Sequence, residues 1–153
     1  MLTIGQQKNH HFSGTITINR PQTEVWKLLT DVTHWKEWDT ELKTSSLSGE
    51  FTLGATGELV PKKGPKLAFV ISEFIPEQSY TVKTKMPVGH LMMKRTLSNR
   101  DQLTYFTDDI WFTGALKRVF GLMLGSGFKA VLPEVMENFK RLAEQHKQSN
   151  PTL

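Results

Sequence analysis

Between Phe12 and Ile18 the chain alternates strictly, with Phe12, Gly14, Ile16 and Ile18 on one side and Ser13, Thr15 and Thr17 on the other. A period of two marks a half-buried strand. Arg20 and Pro21 close it, and from there the apolar positions change to helical spacing at Val25, Leu28, Leu29 and Val32. Proline suits the first helical position because its missing N–H would have no partner there, so a helix is predicted over about Pro21 to Val32. Trp35 and Trp38 follow three residues apart, which puts both indoles on one face of a short second helix.

From Leu42 to Thr113 short apolar runs are separated by turn residues, and strands are predicted near 42–48, 55–61, 66–75, 79–86, 90–97 and 102–113. With the first strand that makes about seven. The last two read as a hairpin turning on Ser98-Asn99-Arg100-Asp101, and strands so close in sequence pair antiparallel. Beyond Gly114 the period is helical again. Leu116, Phe120, Leu124, Phe128, Leu132, Val135, Phe139 and Leu142 recur at three- and four-residue steps, predicting one long amphipathic helix to about Gln145. Pro133 lacks an N–H and clashes with the carbonyl four residues back, so a kink or restart is expected there. The tail beyond His146 is expected to fray.

The predicted class is therefore α+β, a curved antiparallel sheet around a long C-terminal helix, with two short helices after the first strand. The concave face is expected to meet the C-terminal helix rather than the two short ones. A twisted sheet against a straighter helix leaves a concave space, which either fills with side chains or holds a ligand.

Composition narrows this without naming a ligand. A length of 153 residues is one domain, with its core over about 10–146 and no internal repeat. Such a chain buries roughly 68–70% of its unfolded surface and needs no disulfide or structural metal. With no cysteine, thiol catalysis and thiolate zinc sites are excluded. Nineteen Lys and Arg against fifteen Asp and Glu give a formal charge of +4. That excess is spread out; its densest cluster is Lys62, Lys63 and Lys66 in one loop, not the stripe of a nucleic-acid binder. The first residues lack a charged start followed by an apolar stretch, and the longest uncharged apolar run, Val119 to Phe128, is too short to span a bilayer. A soluble, cytoplasmic protein, monomeric or homodimeric, is expected.

The segment INRPQTEVWKLLTDVTHWKEWD, Ile18 to Asp39, resembles the opening of the START-like or SRPBCC superfamily: a strand ending before a proline, an amphipathic helix, then a Trp-x-x-Trp-Asp helix. LGATGEL at Leu53–Leu59, SEFIPEQSYTV at Ser72–Val82 and the ALKRVFGLMLGSGFKAVLPEVMENFKRLAEQ helix are similar to later parts of it. The resemblance covers nearly the whole chain. It implies the helix-grip fold shared by polyketide cyclases and dehydratases, lipid-transfer domains and plant hormone receptors. It does not imply an activity, because members with and without catalysis share these features.

Several residues could carry chemistry. Trp35 and Trp38 could form a ligand-facing lid or simply close the core. Phe69, Tyr80, Val82 and Met93 stand on strand faces that alternation points inward, as core or as cavity lining. Phe120, Leu124 and Phe128 belong to the helix stretch expected to line the same space. Gly125 and Gly127 there would let the helix approach the sheet or unwind at the mouth. If Leu91, Met93 and Leu97 face inward, so does Arg95, and an inward cation needs a partner. Asp108 and Asp109 are adjacent on the next strand, so one carboxylate points inward in either register. An Arg95–Asp109 pair with Tyr105 would give the cavity one polar anchor, whereas a β-bulge would put Arg95 in solvent.

The five histidines show no metal-binding spacing, and Ser126 sits in a helical pattern rather than at a nucleophile elbow, so neither a metal, a cofactor nor a nucleophile is expected. The leading reading is a noncatalytic binding or carrier domain for one small, mainly apolar molecule, lipid, polyketide or terpenoid-like. The alternatives are a cyclase- or dehydratase-like enzyme using Arg95 and an Asp, and a protein-interaction module.

Overall fold

The computed structural model describes residues 1–5, 11–115 and 117–145, the side chains of 119–126 and 128 excepted. One antiparallel sheet of eight strands carries the fold, in the order β1-β2-β8-β7-β6-β5-β4-β3. The strands are β1 (Leu2–Ile4), β2 (His11–Ile18), β3 (Leu42–Ser48), β4 (Thr56–Pro61), β5 (Leu67–Ile75), β6 (Ser79–Lys85), β7 (His90–Arg100) and β8 (Leu103–Thr113). The helices are α1 (Gln22–Leu29), a 3-10 helix (Val32–Glu37) and the long α2 (Lys117–Gln145). The sequence pattern predicts about seven strands. The additional one, β1, has only three residues on the edge beside β2, too short a run to display alternation.

The strand β2 buries every second residue, Phe12, Gly14, Ile16 and Ile18, as its alternation requires. Between β7 and β8 the turn is tighter than predicted. Pairing continues to Arg100 and Leu103, leaving Asp101 and Gln102 alone in the loop, both at positive φ (52° and 65°). Two left-handed residues form the turn whose twist matches the flanking strands. Register shifts between Leu42 and Thr44 and between Ile71 and Glu73 interrupt β3 and β5. Bulges of this kind bend a strand and increase its twist. After the second one Phe74 packs against Trp26 and Phe51.

The concave face is shared, which corrects the expectation that α2 alone would meet it. The helix α2 packs on β2 and β8 and touches β1, while α1 lies against β7 and β8 and the 3-10 helix against β3. A single straight helix cannot cover both halves of a curled eight-stranded sheet. The helix α2 comes close to β2 at Gly14, where a Cβ would lie 2.8 Å from Met136 Sδ. Leu132, Val135, Met136, Phe139 and Ala143 are buried at this seam, and Phe139 lies edge-on to Trp38 at 4.9 Å and near Phe106 at 5.0 Å. The helix runs through Pro133 as one element, so no restart occurs there. Its end is tied to β2 by Arg20 Nη2 donating to the Glu144 carbonyl at 2.8 Å and the Asn19 N–H donating to Glu144 Oε1 at 3.0 Å. The predicted fraying beyond His146 lies outside the described residues.

Candidate ligand cavity

The site begins with the alternation of β7. Leu91, Arg95 and Leu97 are buried on the concave face with Met93 half-buried between them, and Arg95 is only 2% exposed. Its cross-strand partner is Asp108, itself 1% exposed, with Nε 3.5 Å from Oδ2. That distance is an ion pair without a hydrogen bond, and both Arg95 Nε and Asp108 Oδ1 lack a hydrogen-bond partner among the described residues.

The rest of the guanidinium is held by the short helices. Trp35 and Trp38 both face it, with Arg95 Cζ 5.0 Å and 4.7 Å from their ring centroids. Desolvated cation–π contacts of this kind contribute up to about 2 kcal/mol. Arg95 Nη1 donates to the Tyr80 hydroxyl at 3.2 Å, and that hydroxyl donates to the Leu29 carbonyl at 2.8 Å. Trp35 Nε1 donates to the same carbonyl at 2.9 Å. Leu29 ends α1, where carbonyls have no helical partner. The free end of α1 thus fixes both Tyr80 and Trp35 around the arginine.

Burial shapes the titration of this cluster. Desolvation pushes the Asp108 carboxyl up to about 6 although Arg95 pulls it down, with Asp39 adding repulsion. Burial also raises Asp39 against the same pull from Arg95, and lifts the Tyr80 phenol to about 12. For Arg95 burial disfavours the charge, but Tyr80, Asp108 and Asp39 outweigh it and hold the guanidinium above its ordinary value.

Two predicted members of the anchor fall elsewhere. Asp109 pairs in register with Lys94 on the opposite face, 3.5 Å from His11 Nε2, and Tyr105 lies on that same outer face opposite Ser98. The inward carboxylate is Asp108 and the inward hydroxyl is Tyr80. A signal for Asp108 was present in β8, whose buried set Phe106, Asp108, Ile110 and Phe112 shares one parity. Leu103, Tyr105 and Trp111 on the other parity obscured it.

Beside this cluster lies a cavity of about 330 Å³ between the sheet and α2. Met93 and Ile110 form its sheet wall, and Val131, Leu132 and Val135 with the Gly127 backbone form its helix wall. Arg95 and Asp108 close one side, and Pro61 at the end of β4 with Asp39, Glu41 and Lys63 from the neighbouring loops also line it. The loop residues could not be assigned from sequence, because no periodicity relates them to the strands they approach.

Of the residues predicted to line a cavity, Met93 and Arg95 do so. Trp35, Phe69, Tyr80 and Val82 are instead buried in packed core at 0–3% exposure. There Trp35 stacks on Tyr80 at 6.5 Å and lies 6.0 Å from Phe69, while Phe51 meets Tyr80 edge-on at 4.7 Å. Four aromatic rings fill that half of the concave space, and the cavity is displaced toward β8 and α2. The backbone carrying Phe120, Leu124 and Phe128 is helical, but their side chains lie outside the described residues. No group of three or more His, Asp or Glu is placed to hold a metal ion among the described residues, and none of the described helices is long and apolar enough to cross a membrane.

A curled antiparallel sheet gripping a C-terminal helix, with two short helices between β2 and β3, defines the helix-grip class of START-like proteins. Within it, the chain belongs to the polyketide cyclase / dehydrase and lipid transport family, whose model matches residues 9–144. No curated protein sequence matches it. Among solved structures it is similar to a protein from Mesorhizobium loti, with 15% identity, a TM-score of 0.70, and coverage of 88% of this chain and 98% of that one. A protein from Arthrobacter aurescens is also similar, with 15% identity, a TM-score of 0.69, and coverage of 97% and 98%. DynU16, a protein of the dynemicin biosynthetic locus, shows 19% identity and a TM-score of 0.69, with 92% of this chain covering 49% of that one. Identities this low speak for the fold alone.

Proposed function

We propose that this protein binds and carries one small, mainly apolar molecule in the cavity between the sheet and α2. The observation that carries the reading is the pairing of an apolar wall, Met93, Ile110, Val131, Leu132 and Val135, with a buried charged cluster at one side. The volume of about 330 Å³ falls at the small end of ligand sites, which suits a ligand of about ten to twenty heavy atoms, lipid, polyketide or terpenoid-like. The ion-paired Arg95–Asp108 cluster would mark the polar end at which it is oriented, and Met93 would supply apolar contact. The protein would work in the cytoplasm as a monomer or homodimer, without nucleic acid.

Mass spectrometry of small molecules extracted from the natively purified protein tests this directly. A stoichiometric apolar compound is the expected result. Val131→Trp, which fills the cavity from its helix wall, should abolish retention. A compound retained equally by that variant would place binding elsewhere.

One observation favours a second, cyclase- or dehydratase-like reading. A carboxyl held near 6 beside a fixed guanidinium has the proton affinity a general acid or base needs. If Asp108→Asn retained affinity for an identified ligand but lost its turnover, the enzyme reading would replace the carrier one.

A further inference from the structure

The charges around the cavity say what kind of polar group its occupant can carry. Among the described lining residues, Asp39, Glu41 and Asp108 contribute three carboxyls against two cations, Lys63 and Arg95. The Arg95 cation is already surrounded: Trp35 and Trp38 face it, its Nη1 is bonded to Tyr80, and its Nε, without a hydrogen-bond partner among the described residues, lies 3.5 Å from Asp108 Oδ2 in an ion pair. Asp108 Oδ1 is an acceptor without a partner among the described residues, in a side chain 1% exposed. A ligand carboxylate would enter among more carboxyls than cations, beside a guanidinium whose charge is already paired with Asp108, and like-charge juxtaposition in a desolvated site is costly. A hydroxyl would supply the missing donor.

Resting on the reading of this cavity as a ligand site, we infer that it selects a neutral, apolar molecule ending in a hydrogen-bond donor, an alcohol or phenol, and rejects the corresponding carboxylate. The donor meets Asp108, and Asp39 reinforces the exclusion of anions. Arg95 acts as a fixed counter-charge that keeps Asp108 in place rather than as a clamp on the ligand.

The test is competition against the neutral fluorescent probe N-phenyl-1-naphthylamine at pH 7.5 by three molecules on one skeleton: 2-naphthol, 2-methoxynaphthalene and 2-naphthoate. The naphthol is expected to displace the probe at a concentration about tenfold lower than its methyl ether, although the ether is the more apolar, because only the naphthol donates a hydrogen bond to a buried acceptor. The naphthoate is expected to be the weakest. Asp108→Asn should bring naphthol and ether to within about threefold of one another, and Asp39→Asn should strengthen naphthoate by about tenfold.

Equal displacement by naphthol and ether in the unmodified protein would overturn the donor requirement. A naphthoate preference unchanged by both substitutions would show that the anion is disfavoured by desolvation alone, and would overturn the role given to the carboxyls. Failure of the probe itself to bind, or binding unaffected by Val131→Trp, would remove the cavity reading beneath the inference. That outcome is distinct from either selectivity result.

Discussion

Asp108→Asn should stabilise the protein at neutral pH and leave it unchanged in acid. The carboxyl moves from 3.8 to about 6 on folding because burial disfavours its charge more than Arg95 favours it. A group with its folded value raised is stabilising where it is protonated. Its contribution is fully present below about pH 4 and is lost as pH rises through about 6. Two units at about 1.4 kcal/mol each amount to about 3 kcal/mol, an upper bound because water entering the cavity would relax the site. Asparagine has the shape of the protonated acid and no charge, so it keeps the acid-state stability at every pH. Urea denaturation followed by tryptophan fluorescence, from pH 4 to pH 8, measures the difference between variant and unmodified protein. The expected difference is near zero at pH 4 and grows to about 2–3 kcal/mol in favour of the variant by pH 7.5. Groups elsewhere titrate in both proteins and cancel. A difference that stays constant with pH, or a variant destabilised at pH 7.5, would refute the reasoning, since either result means that Asp108 is charged and well satisfied when folded.

Arg95→Met should cost about 3–5 kcal/mol, because it leaves Asp108 buried without its counter-charge, whereas Lys94→Met on the outer face should stay within about 0.5 kcal/mol; paired urea titrations compare them. Tyr80→Phe removes the hydroxyl that joins Arg95 to the Leu29 carbonyl, and the partners it leaves buried should make it about 1–3 kcal/mol less stable in the same assay. Gly57→Ala should lower the melting temperature clearly and cost about 1–3 kcal/mol or more, because the new Cβ would lie 2.3 Å from both the Phe69 ring and the Ser46 carbonyl oxygen. A melting curve unchanged for Gly57→Ala would mean that β3 and β5 do not sit as close to β4 as described.

The sequence by itself determined the elements: periodicity marked the β2 alternation and the long run from Leu116 to Leu142, and apolar runs bounded by turn residues marked the six strands from β3 to β8. Parity with Leu91 and Leu97 pointed Arg95 inward but left a bulge open, and the unbroken register of β7 on β8 with the burial of all three decided for the inward face. The three-residue β1 and the bulges after Leu42 and Ile71 were not legible, because each is shorter than the period that would reveal it. The partner of Arg95 was a question of register. Asp108 and Asp109 are chemically identical neighbours, and a shift of one residue exchanges their faces; the two-residue turn at Asp101 and Gln102 and the burial of Phe106, Ile110 and Phe112 decided for Asp108. The division of the concave space was decided only by tertiary packing. Trp35, Phe69 and Tyr80 carry the same inward signal as Met93, but Trp35 and Tyr80 converge on the Leu29 carbonyl and Phe69 packs against Trp35, so they fill their half. Met93 stands opposite Val131, Leu132 and Val135 across open space. Inward direction is a local property of a strand, whereas an inward side chain becomes core or cavity wall according to what the opposite layer brings to meet it.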